Sequence, residues 1–269
     1  LGERLKQPVL LDNRPGGSLI IGTEAAARAA PDGYTVLLAS VSGLAINAGA
    51  FKKLPYDPVR DFAPITMGFF TPLYMIVSPD LPVRSLREFI DLARARPGTL
   101  SFASLGRGSS LHLATELFKT MAGIDLVHVP YKGTTTALPD LIEGRVNMIF
   151  DGGAMFGHAK AGKVRLLATS SMQRLESMPE VPTMNEAGVP GYEVTIWFGM
   201  VAPAGTPRPI VERLHAEMAA IIGQPGFKKR FAGTGIEPVS NTPDQFADLI
   251  RRDIVKWTGV LKNAGIAPE

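Results

Sequence analysis

Three segments of the sequence place serine, threonine and glycine residues between a strand-like run and a helix-like run. They contain Ser104, Gly106, Arg107, Gly108, Ser109 and Ser110; then Tyr131, Lys132, Gly133, Thr134, Thr135 and Thr136; and finally Asp151, which two glycines follow. The first turn of a helix carries unpaired N–H groups and a partial positive charge, and glycine lets a ligand approach the backbone. Such loops at the carboxyl ends of strands are natural sites for anions.

Each loop also has a simpler interpretation, in which its polar residues only cap the helix that follows. Asp151 in particular could either orient a ligand or cap the next helix. Three such loops in one chain favour a binding site. Ser104, Ser109 and Ser110 do not match the Gly-x-Ser-x-Gly motif of a serine nucleophile. A hydrolytic or acyl-transfer enzyme using Ser109 with His112 or His158 is nevertheless retained as an alternative.

The sequence contains no recognisable motif for a metal site or for nucleotide binding. His112 and Glu116 lie four residues apart and could share a helix face, but no His-Glu-x-x-His motif or compact ligand cluster accompanies them. There is no phosphate-binding glycine motif of the Walker A type and no Gly-x-Gly-x-x-Gly after a strand. We therefore predict neither a metal nor a cofactor, and interpret His128 as a packed strand residue and His215 as an exposed helix residue.

Composition narrows the class of protein. The 269 residues are 45% hydrophobic and 20% charged, with no cysteine and a net charge of +3, which is typical of a globular chain without disulfides. The longest apolar stretch, 65–77, is interrupted by Gly68 and Pro72, so we expect no insertion into a membrane. Basic residues at 228–230 and 251–252 form short patches among apolar helical positions, which predicts solvated helix faces rather than a nucleic-acid surface.

Strand-like and helix-like runs alternate along the chain, which predicts an α/β fold with doubly wound sheets. The predicted strands are mostly continuous apolar runs, as in parallel sheets covered on both faces: 9–12, 35–39, 73–77, 100–103, 126–129, 146–150, 164–168 and 195–201. Capping boxes predict helices beginning near Ser85, Thr183 and Thr242. Further helices are predicted at 22–29, 110–121, 135–143 and 207–222.

Two proline-bordered passages, 72–82 and 197–209, are interpreted as crossings between two lobes. The predicted organisation is a first lobe at 1–78, a second lobe at 79–198 and a return to the first lobe at 199–269. The chain opens on a helix tail at 1–5 followed by a strand at 9–12, whereas a parallel crossover needs a strand before that helix. We expect that the first strand of the natural fold is missing and that a leader was removed.

At these loops the sequence resembles the substrate-binding proteins of tripartite tricarboxylate transporters, the Bug family. Each matching stretch is weak alone, but all occur in consistent order from end to end. They are Asn13-Arg-Pro-Gly16, Ala30-Pro-Asp-Gly-Tyr34, Ala45-Ile-Asn47, Leu54-Pro-Tyr-Asp57, Val129-Pro-Tyr-Lys-Gly133, Met148-Ile-Phe-Asp151, Pro179-Glu-Val-Pro-Thr183, Glu186-Ala-Gly188, Pro190-Gly-Tyr192 and Pro203-Ala-Gly-Thr-Pro207.

The resemblance implies a periplasmic binding protein fold: two doubly wound α/β lobes, two crossing strands and a ligand cleft between them. It implies a periplasmic, monomeric receptor, not an enzyme, that captures a small carboxylate and delivers it to membrane transporter subunits. The ligand would be a di- or tricarboxylate, an acidic amino acid or an aromatic acid, held mostly by main-chain N–H groups, hydroxyls and water. The implied ligand-binding positions are the 104–110 loop, the 131–136 loop and Asp151, with Ser40 and Ser42 as weaker candidates.

The sequence also departs from the family pattern. The family begins with a strand followed by a Pro-Gly-Gly loop, and we expect that this opening segment is missing before Leu1. Arg107 stands where a small residue is commoner, and could either pair with a distal carboxylate of the ligand or face solvent. A sensor that signals to a membrane kinase, and a lobe pair with degraded function, remain alternatives to transport.

Overall fold

Short strands and helices alternate along most of the chain. The computed structural model describes residues 1–231 and 234–268. The strands are β1 (Leu37–Ser40), β2 (Phe62–Pro72), β3 (Tyr74–Val77), β4 (Ser101–Ser104), β5 (Val127–Pro130), β6 (Met148–Asp151), β7 (Arg165–Thr169), β8 (Thr195–Pro203) and β9 (Glu237–Pro238). The α-helices are α1 (Gly2–Leu5), α2 (Ile20–Ala27), α3 (Asn47–Ala50), α4 (Leu86–Ala95), α5 (Ser110–Ala122), α6 (Thr134–Ile142), α7 (Phe156–Lys160), α8 (Arg208–Ile222), α9 (Pro225–Arg230) and α10 (Pro243–Asn263). A 3₁₀ turn at Gly17–Leu19 precedes α2, and a π-helical turn at Ser42–Ile46 precedes α3.

Side-chain caps fix where α4, α5 and α10 begin. Ser85 accepts a hydrogen bond from Glu88 N–H at the start of α4, and Ser109 accepts one from His112 N–H at the start of α5. Thr242 and Gln245 form a reciprocal capping box before α10. These contacts satisfy N–H groups that the helix itself leaves unpaired. Gly123, at φ 62°, ends α5 in the left-handed conformation that glycine adopts without strain.

The chain divides into two compact units. Unit 1 comprises Leu1–Phe70, Ile196–Ala232 and Ile236–Glu269, and unit 2 comprises Thr71–Thr195 with Gly233–Gly235. Two of the boundaries between these segments fall within β2 and within β8. The predicted return segment, 199–269, includes residues 232, 233 and 269, which lie outside the described part of the chain.

Unit 2 is built on a mixed sheet with the strand order β5-β4-β6-β3-β7 among its described residues. β4 pairs in parallel with β5 and with β6, as the helical crossovers through α5 and α6 require. β3 runs antiparallel to both β6 and β7. Buried side chains on one face include Tyr74, Ile76, Leu141, Ile149 and Phe156, which form a continuous hydrophobic core.

Unit 1 contains a sheet with the strand order β1-β8-β2-β9, in which β1 pairs with β8 and β2 with β9, both antiparallel. One hydrophobic cluster joins Ile65 of β2 and Met200 of β8 to Val211 and Leu214 of α8. The apolar face of α10 buries Phe246, Ile250 and Trp257. None of the helices in the described residues has both the length and the apolar character that a bilayer crossing demands.

The α/β prediction is confirmed, but the expectation of parallel sheets holds only in part. β3 and β6 are buried along their whole length, as their apolar runs predicted, yet they pair antiparallel. A continuous apolar run therefore predicts that both faces of a strand are buried, but it does not predict whether the strand pairs parallel or antiparallel. The strand β2 was not predicted at all, because Pro64, Gly68 and partly exposed positions interrupt its pattern.

Two further predictions are wrong in detail. Residues 9–12 are exposed and form no strand, because an apolar run becomes a strand only where another strand pairs with its backbone. The capping contacts between Thr183 and Glu186 form as predicted, at 3.0 Å in each direction, but they close only a turn. Gly188, at φ +126°, leaves the helical conformation too soon for a helix to develop.

Candidate functional site

The candidate site is set by three neighbouring strands of unit 2 whose carboxyl ends lie at one edge of the sheet. β4 occupies the position between β5 and β6, and it runs parallel to both. Ser104, the last residue of β4, is in register with Pro130 of β5, and Tyr131 N–H donates to the Ser104 carbonyl at 2.8 Å. The first and second predicted loops are therefore brought together by direct contact.

The 104–110 loop is shaped by glycine. Gly106 has φ +104° and Gly108 has φ +76°, which other residues adopt only with strain. A Cβ atom built on either glycine would meet no described atom within 4 Å, so the space beside the backbone is open. Ser109 accepts from His112 N–H at 3.3 Å and donates to the Gly106 carbonyl at 2.8 Å. Arg107 is exposed and Ser110 is half-buried as the first residue of α5.

The 131–136 loop is closed by its own threonine. Thr136 donates to the Gly133 carbonyl at 2.7 Å and accepts from Gly133 N–H at 3.2 Å, which fixes the start of α6. Thr135 and Lys132 are exposed, and Thr134 is half-buried. Two helix amino termini, those of α5 and α6, thus begin beside adjacent strands and make this edge of unit 2 favourable for negative charge.

The Tyr131 hydroxyl is engaged by a side chain of α6. The hydroxyl donates to Asp140 Oδ2 at 2.6 Å, and Asp140 also pairs with Arg145 at 2.6 Å. Burial, followed by this hydrogen bond to the carboxylate, raises the pKa of Tyr131 to about 12. The side chain therefore anchors the loop to α6, and its backbone N–H is the group bound to Ser104.

Asp151, the last residue of β6, holds the turn that follows the strand. It is buried, and its Oδ1 accepts from Gly153 N–H at 2.8 Å and from Met155 N–H at 3.0 Å. These bonds hold the turn between β6 and α7, but the N-cap of α7 is Met155 and no side chain caps that helix, so the contacts are not the predicted helix cap. A ligand role would have to use its second carboxylate oxygen.

Ser40 and Ser42 belong to unit 1. Ser40 is buried at the end of β1, and its hydroxyl accepts from Gly43 N–H at 3.4 Å. Ser42 is half-buried and opens the π-helical turn. Their positions after a strand and before a helical turn follow the same local pattern as the loops of unit 2.

Two histidines contact the 104–110 loop, and the sequence did not predict these contacts. Ser104 Oγ lies 2.6 Å from His128 Nε2, and Gly108 N–H donates to His112 Nδ1 at 3.1 Å. The centroids of the two imidazole rings are 4.1 Å apart. Burial is the main cause of a lowered pKa in both, to about 4 for His112. His215 is half-buried rather than exposed, with a buried Nδ1.

These contacts do not assemble a serine nucleophile from the predicted residues. The Ser109 hydroxyl donates to a backbone carbonyl, while the acceptor nitrogen of His112 is occupied by Gly108 N–H. Ser104 does contact a histidine, but it is buried, with only 1% of its surface exposed. His112 Nε2 lies 3.7 Å from Glu116 Oε1, and no group of three metal-ligating side chains occurs among the described residues.

Sequence comparison identifies relatives of the whole chain. The chain is 39% identical over 259 residues to a protein encoded in the tcbD-tcbE intergenic region of Pseudomonas sp., covering 96% of this chain and 77% of the relative. It is 37% identical over 267 residues to the protein BugT of Bordetella pertussis, covering 98% and 82%.

Solved structures with the same fold include two with bound dicarboxylates. The Rhodopseudomonas palustris protein Rpa4515 with adipate is 38% identical, with a TM-score of 0.82, and the match covers 100% of this chain and 90% of that one. MatC from Rhodopseudomonas palustris, with bound malate, is 30% identical with a TM-score of 0.75, covering 97% and 90%.

The family whose model matches residues 1–266 is described as the tripartite tricarboxylate transporter family receptor. It is a family of periplasmic solute-binding receptors and not of enzymes, which agrees with the prediction made from the sequence. By this match and by relatives that share more than a third of its residues, the chain belongs to the tripartite tricarboxylate transporter receptor family.

Proposed function

We propose that this chain binds a small carboxylate at the loops 104–110 and 131–136 and delivers it to the membrane subunits of a tripartite transporter. The observation that carries the proposal is the pairing of two helix amino termini beside adjacent parallel strands, joined by the hydrogen bond from Tyr131 to Ser104. A helix amino terminus stabilises an anion through its unpaired N–H groups and its dipole.

The groups available to a ligand at this edge are mainly neutral. The backbone is open beside Gly106 and Gly108, and hydroxyl groups are present on Ser110 and Thr134, which are half-buried, and on Thr135, which is exposed. Main-chain N–H groups and hydroxyls bind a carboxylate through hydrogen bonds of defined direction, so they select by geometry as well as by charge. Arg107 and Lys132 are exposed and add positive charge, which attracts anions from solution.

The remaining predicted positions are assigned more limited roles. Ser40, at the end of β1 in unit 1, and Ser42, in the turn that follows, stay weaker candidates for hydroxyl contacts, and we propose that Asp151 fixes the third loop through its bonds to Gly153 and Met155. Tyr131 contributes through its backbone, because its hydroxyl is engaged by Asp140.

The proposed ligand class is di- or tricarboxylates, acidic amino acids and aromatic acids. Relatives that contain adipate and malate make dicarboxylates of four to six carbons the first choice. The proposed setting is the periplasm, with the receptor acting as a monomer and the transporter subunits as its partners, and membership of the family supports this assignment.

The binding experiment is thermal unfolding against a panel of about twenty carboxylates and amino acids, followed by calorimetry on those that stabilise the protein. A ligand at one hundred times its Kd stabilises the folded state by about 2.7 kcal/mol. We expect one or two acids to raise the unfolding midpoint. If none of them does so, the carboxylate-receptor assignment is contradicted.

The location of the site is tested by replacing Ser109 and Thr135 with valine together. We expect the affinity for the active acid to fall at least tenfold, because valine removes two hydroxyls from the two helix starts. Ser85→Val is the matched control, since Ser85 caps α4 in the same way, accepting from Glu88 N–H at 3.2 Å, but lies outside both loops. An affinity of the double variant within about fivefold of the wild type, about 1 kcal/mol, would place the ligand elsewhere.

Delivery requires a second measurement. Proteoliposomes that contain the membrane subunits of the transporter should accumulate radiolabelled ligand only when the loaded receptor is added outside. Uptake that is equal with and without the receptor would leave binding intact but contradict the transport role.

A further inference from the structure

Two imidazole rings in contact with each other, those of His112 and His128, hold the 104–110 loop near both of its ends. His128, in β5, bonds Ser104 at the start of the loop through Nε2 at 2.6 Å. His112, in the first turn of α5, accepts the Gly108 N–H near the end of the loop at 3.1 Å. The two ring centroids are 4.1 Å apart, and both rings also stack on Phe102 of β4. The loop is therefore tied to two neighbouring elements through one aromatic cluster.

The hydrogen bond from Gly108 determines which nitrogen of His112 carries the proton. A backbone N–H can only donate, so Nδ1 must present its lone pair, and the proton of neutral His112 lies on Nε2. This Nε2–H points toward Glu116, whose Oε1 is 3.7 Å away. A doubly protonated ring would place an N–H against the Gly108 N–H, and that contact would be lost.

The surroundings of His112 favour its neutral form. The ring is 6% exposed, and the charged groups that face it are His128 from β5, Glu116 and Lys119 from α5, and Arg107 from the loop itself. Burial, then the positive charges of a protonated His128, Lys119 and Arg107, lower the pKa of His112 to about 4. Glu116 has the opposite effect and acts on His128, whose pKa burial also lowers. Both rings are thus neutral at neutral pH: His112 accepts the Gly108 N–H, and the tautomer of His128 decides whether it donates to Ser104 or accepts from it.

We infer that His112 and His128 are positioning residues of the receptor, which hold the 104–110 loop in the conformation that binds the carboxylate. The inference rests on the proposed function, because it concerns the same loop. Gly108 has φ +76° and immediately precedes Ser109, the cap of α5. If the bond between its N–H and His112 were lost, Gly108 could change its backbone conformation. The start of α5, where the ligand is proposed to bind, would then change direction.

Isosteric replacements separate positioning from mere packing. The side-chain oxygen of asparagine reaches the place of Nδ1, so His112→Asn keeps an acceptor for Gly108, whereas His112→Leu fills the space without one. Glutamine reaches the place of Nε2, so His128→Gln keeps the contact with Ser104 and His128→Leu does not. His215→Leu is the matched control, since it removes another half-buried histidine from unit 1.

With adipate and malate as probes at pH 7.5, the two leucine variants should bind at least tenfold more weakly than the wild type. The asparagine and glutamine variants should stay within about threefold of it, and His215→Leu should not differ. Equal affinity in leucine and amide variants would overturn the positioning role, even if carboxylate binding itself stands.

A second readout does not depend on any ligand. The amide resonance of Gly108 should shift in the wild type as the pH falls from 7.5 to 4, and should shift much less in His112→Asn, which has no imidazole to titrate. A Gly108 resonance that follows the same course in both proteins would overturn the inference. If neither probe binds the wild type, the choice of four- to six-carbon dicarboxylates as the ligand fails, while this resonance still decides whether His112 holds the loop. If a leucine variant does not fold, the titration of the Gly108 resonance in the wild type and in His112→Asn still tests the positioning role of His112.

Discussion

Trp197 donates its indole N–H to Asp253 Oδ2 at 2.6 Å, in the interior of unit 1. Trp197 lies in β8, next to the boundary between the units, and Asp253 lies in α10. Both side chains are buried, and the indole also packs edge-to-face on Phe246, with ring centroids 5.3 Å apart. One hydrogen bond therefore joins β8 to α10, the longest helix among the described residues.

Replacement of Asp253 tests this bond. Asp253→Leu leaves the buried indole N–H without its acceptor, and we expect a loss of about 1–3 kcal/mol in the free energy of unfolding. Asp253→Asn keeps an oxygen acceptor and should lose less. The measurement is urea unfolding at pH 7, and a leucine variant as stable as the asparagine variant would show that the bond contributes nothing.

The same carboxyl group predicts a pH dependence with a definite sign. Burial raises the pKa of Asp253 above its usual value near 3.8. The folded state then holds the proton more strongly than the unfolded state, so the contribution of this group to stability is greatest below the unfolded pKa and declines as the pH rises through the folded pKa. The stability of the wild type relative to Asp253→Asn should accordingly fall as the pH rises from 4. A constant difference would mean that the carboxyl group titrates alike in both states.

Gly199 of β8 is predicted to tolerate no side chain. An added Cβ would lie 2.3 Å from the Phe246 ring and 2.8 Å from the Thr66 carbonyl oxygen. Gly199→Ala should therefore destabilise the protein by about 1–3 kcal/mol, as overpacking of a core does. Gly259→Ala is the matched control, because Gly259 lies inside α10 with no atom within 4 Å of an added Cβ. It should gain about 0.5–1 kcal/mol of stability, and both changes can be read from thermal unfolding.

Much of the fold could be predicted because buried strands and capped helices leave local signals. The runs that became β3 and β6 are wholly buried, and Ser85 and Thr242 cap helices where the sequence indicated. The strand β2 was missed because its burial alternates irregularly and prolines interrupt it. The sequence also could not predict whether neighbouring strands pair parallel or antiparallel, because burial on both faces produces the same apolar run in either case.

The candidate site was predictable only as far as local sequence determines it. The strand ends, glycines and hydroxyls of the two loops could be recognised as a pattern before each helix. The contacts of His128 could not, because they follow from the register that sets Phe102 opposite His128 in β4 and β5. That register is a property of the folded sheet, and no spacing in the sequence encodes the 4.1 Å approach of His128 to His112.

Gly108 provides a test of the open backbone at the proposed site. Gly108→Ala forces a Cβ into the left-handed region at φ +76°, at a cost of about 1–2 kcal/mol, and projects a methyl group into the space proposed for the ligand. Gly123→Ala is the matched control, since Gly123 has φ +62°, the same open surroundings and a place at the far end of α5. Both variants should lose similar stability, but only Gly108→Ala should lose carboxylate affinity, by tenfold or more in calorimetry. Equal affinities would move the ligand away from this loop.

His112 predicts that acid weakens the folded state of unit 2. Its pKa is lowered from 6.5 to about 4 in the folded protein, so the unfolded chain binds a proton more readily between these values. The stabilisation from neutral His112 is then fully present above about pH 6.5 and is lost as the pH falls towards 4. Urea unfolding of the wild type and of His112→Asn from pH 7.5 to 4 isolates this contribution, because the carboxylates and the other histidines are common to both. The stability of the wild type relative to the variant should decline over this range, and a difference that stays constant would mean that His112 titrates in the folded protein as it does in the unfolded chain.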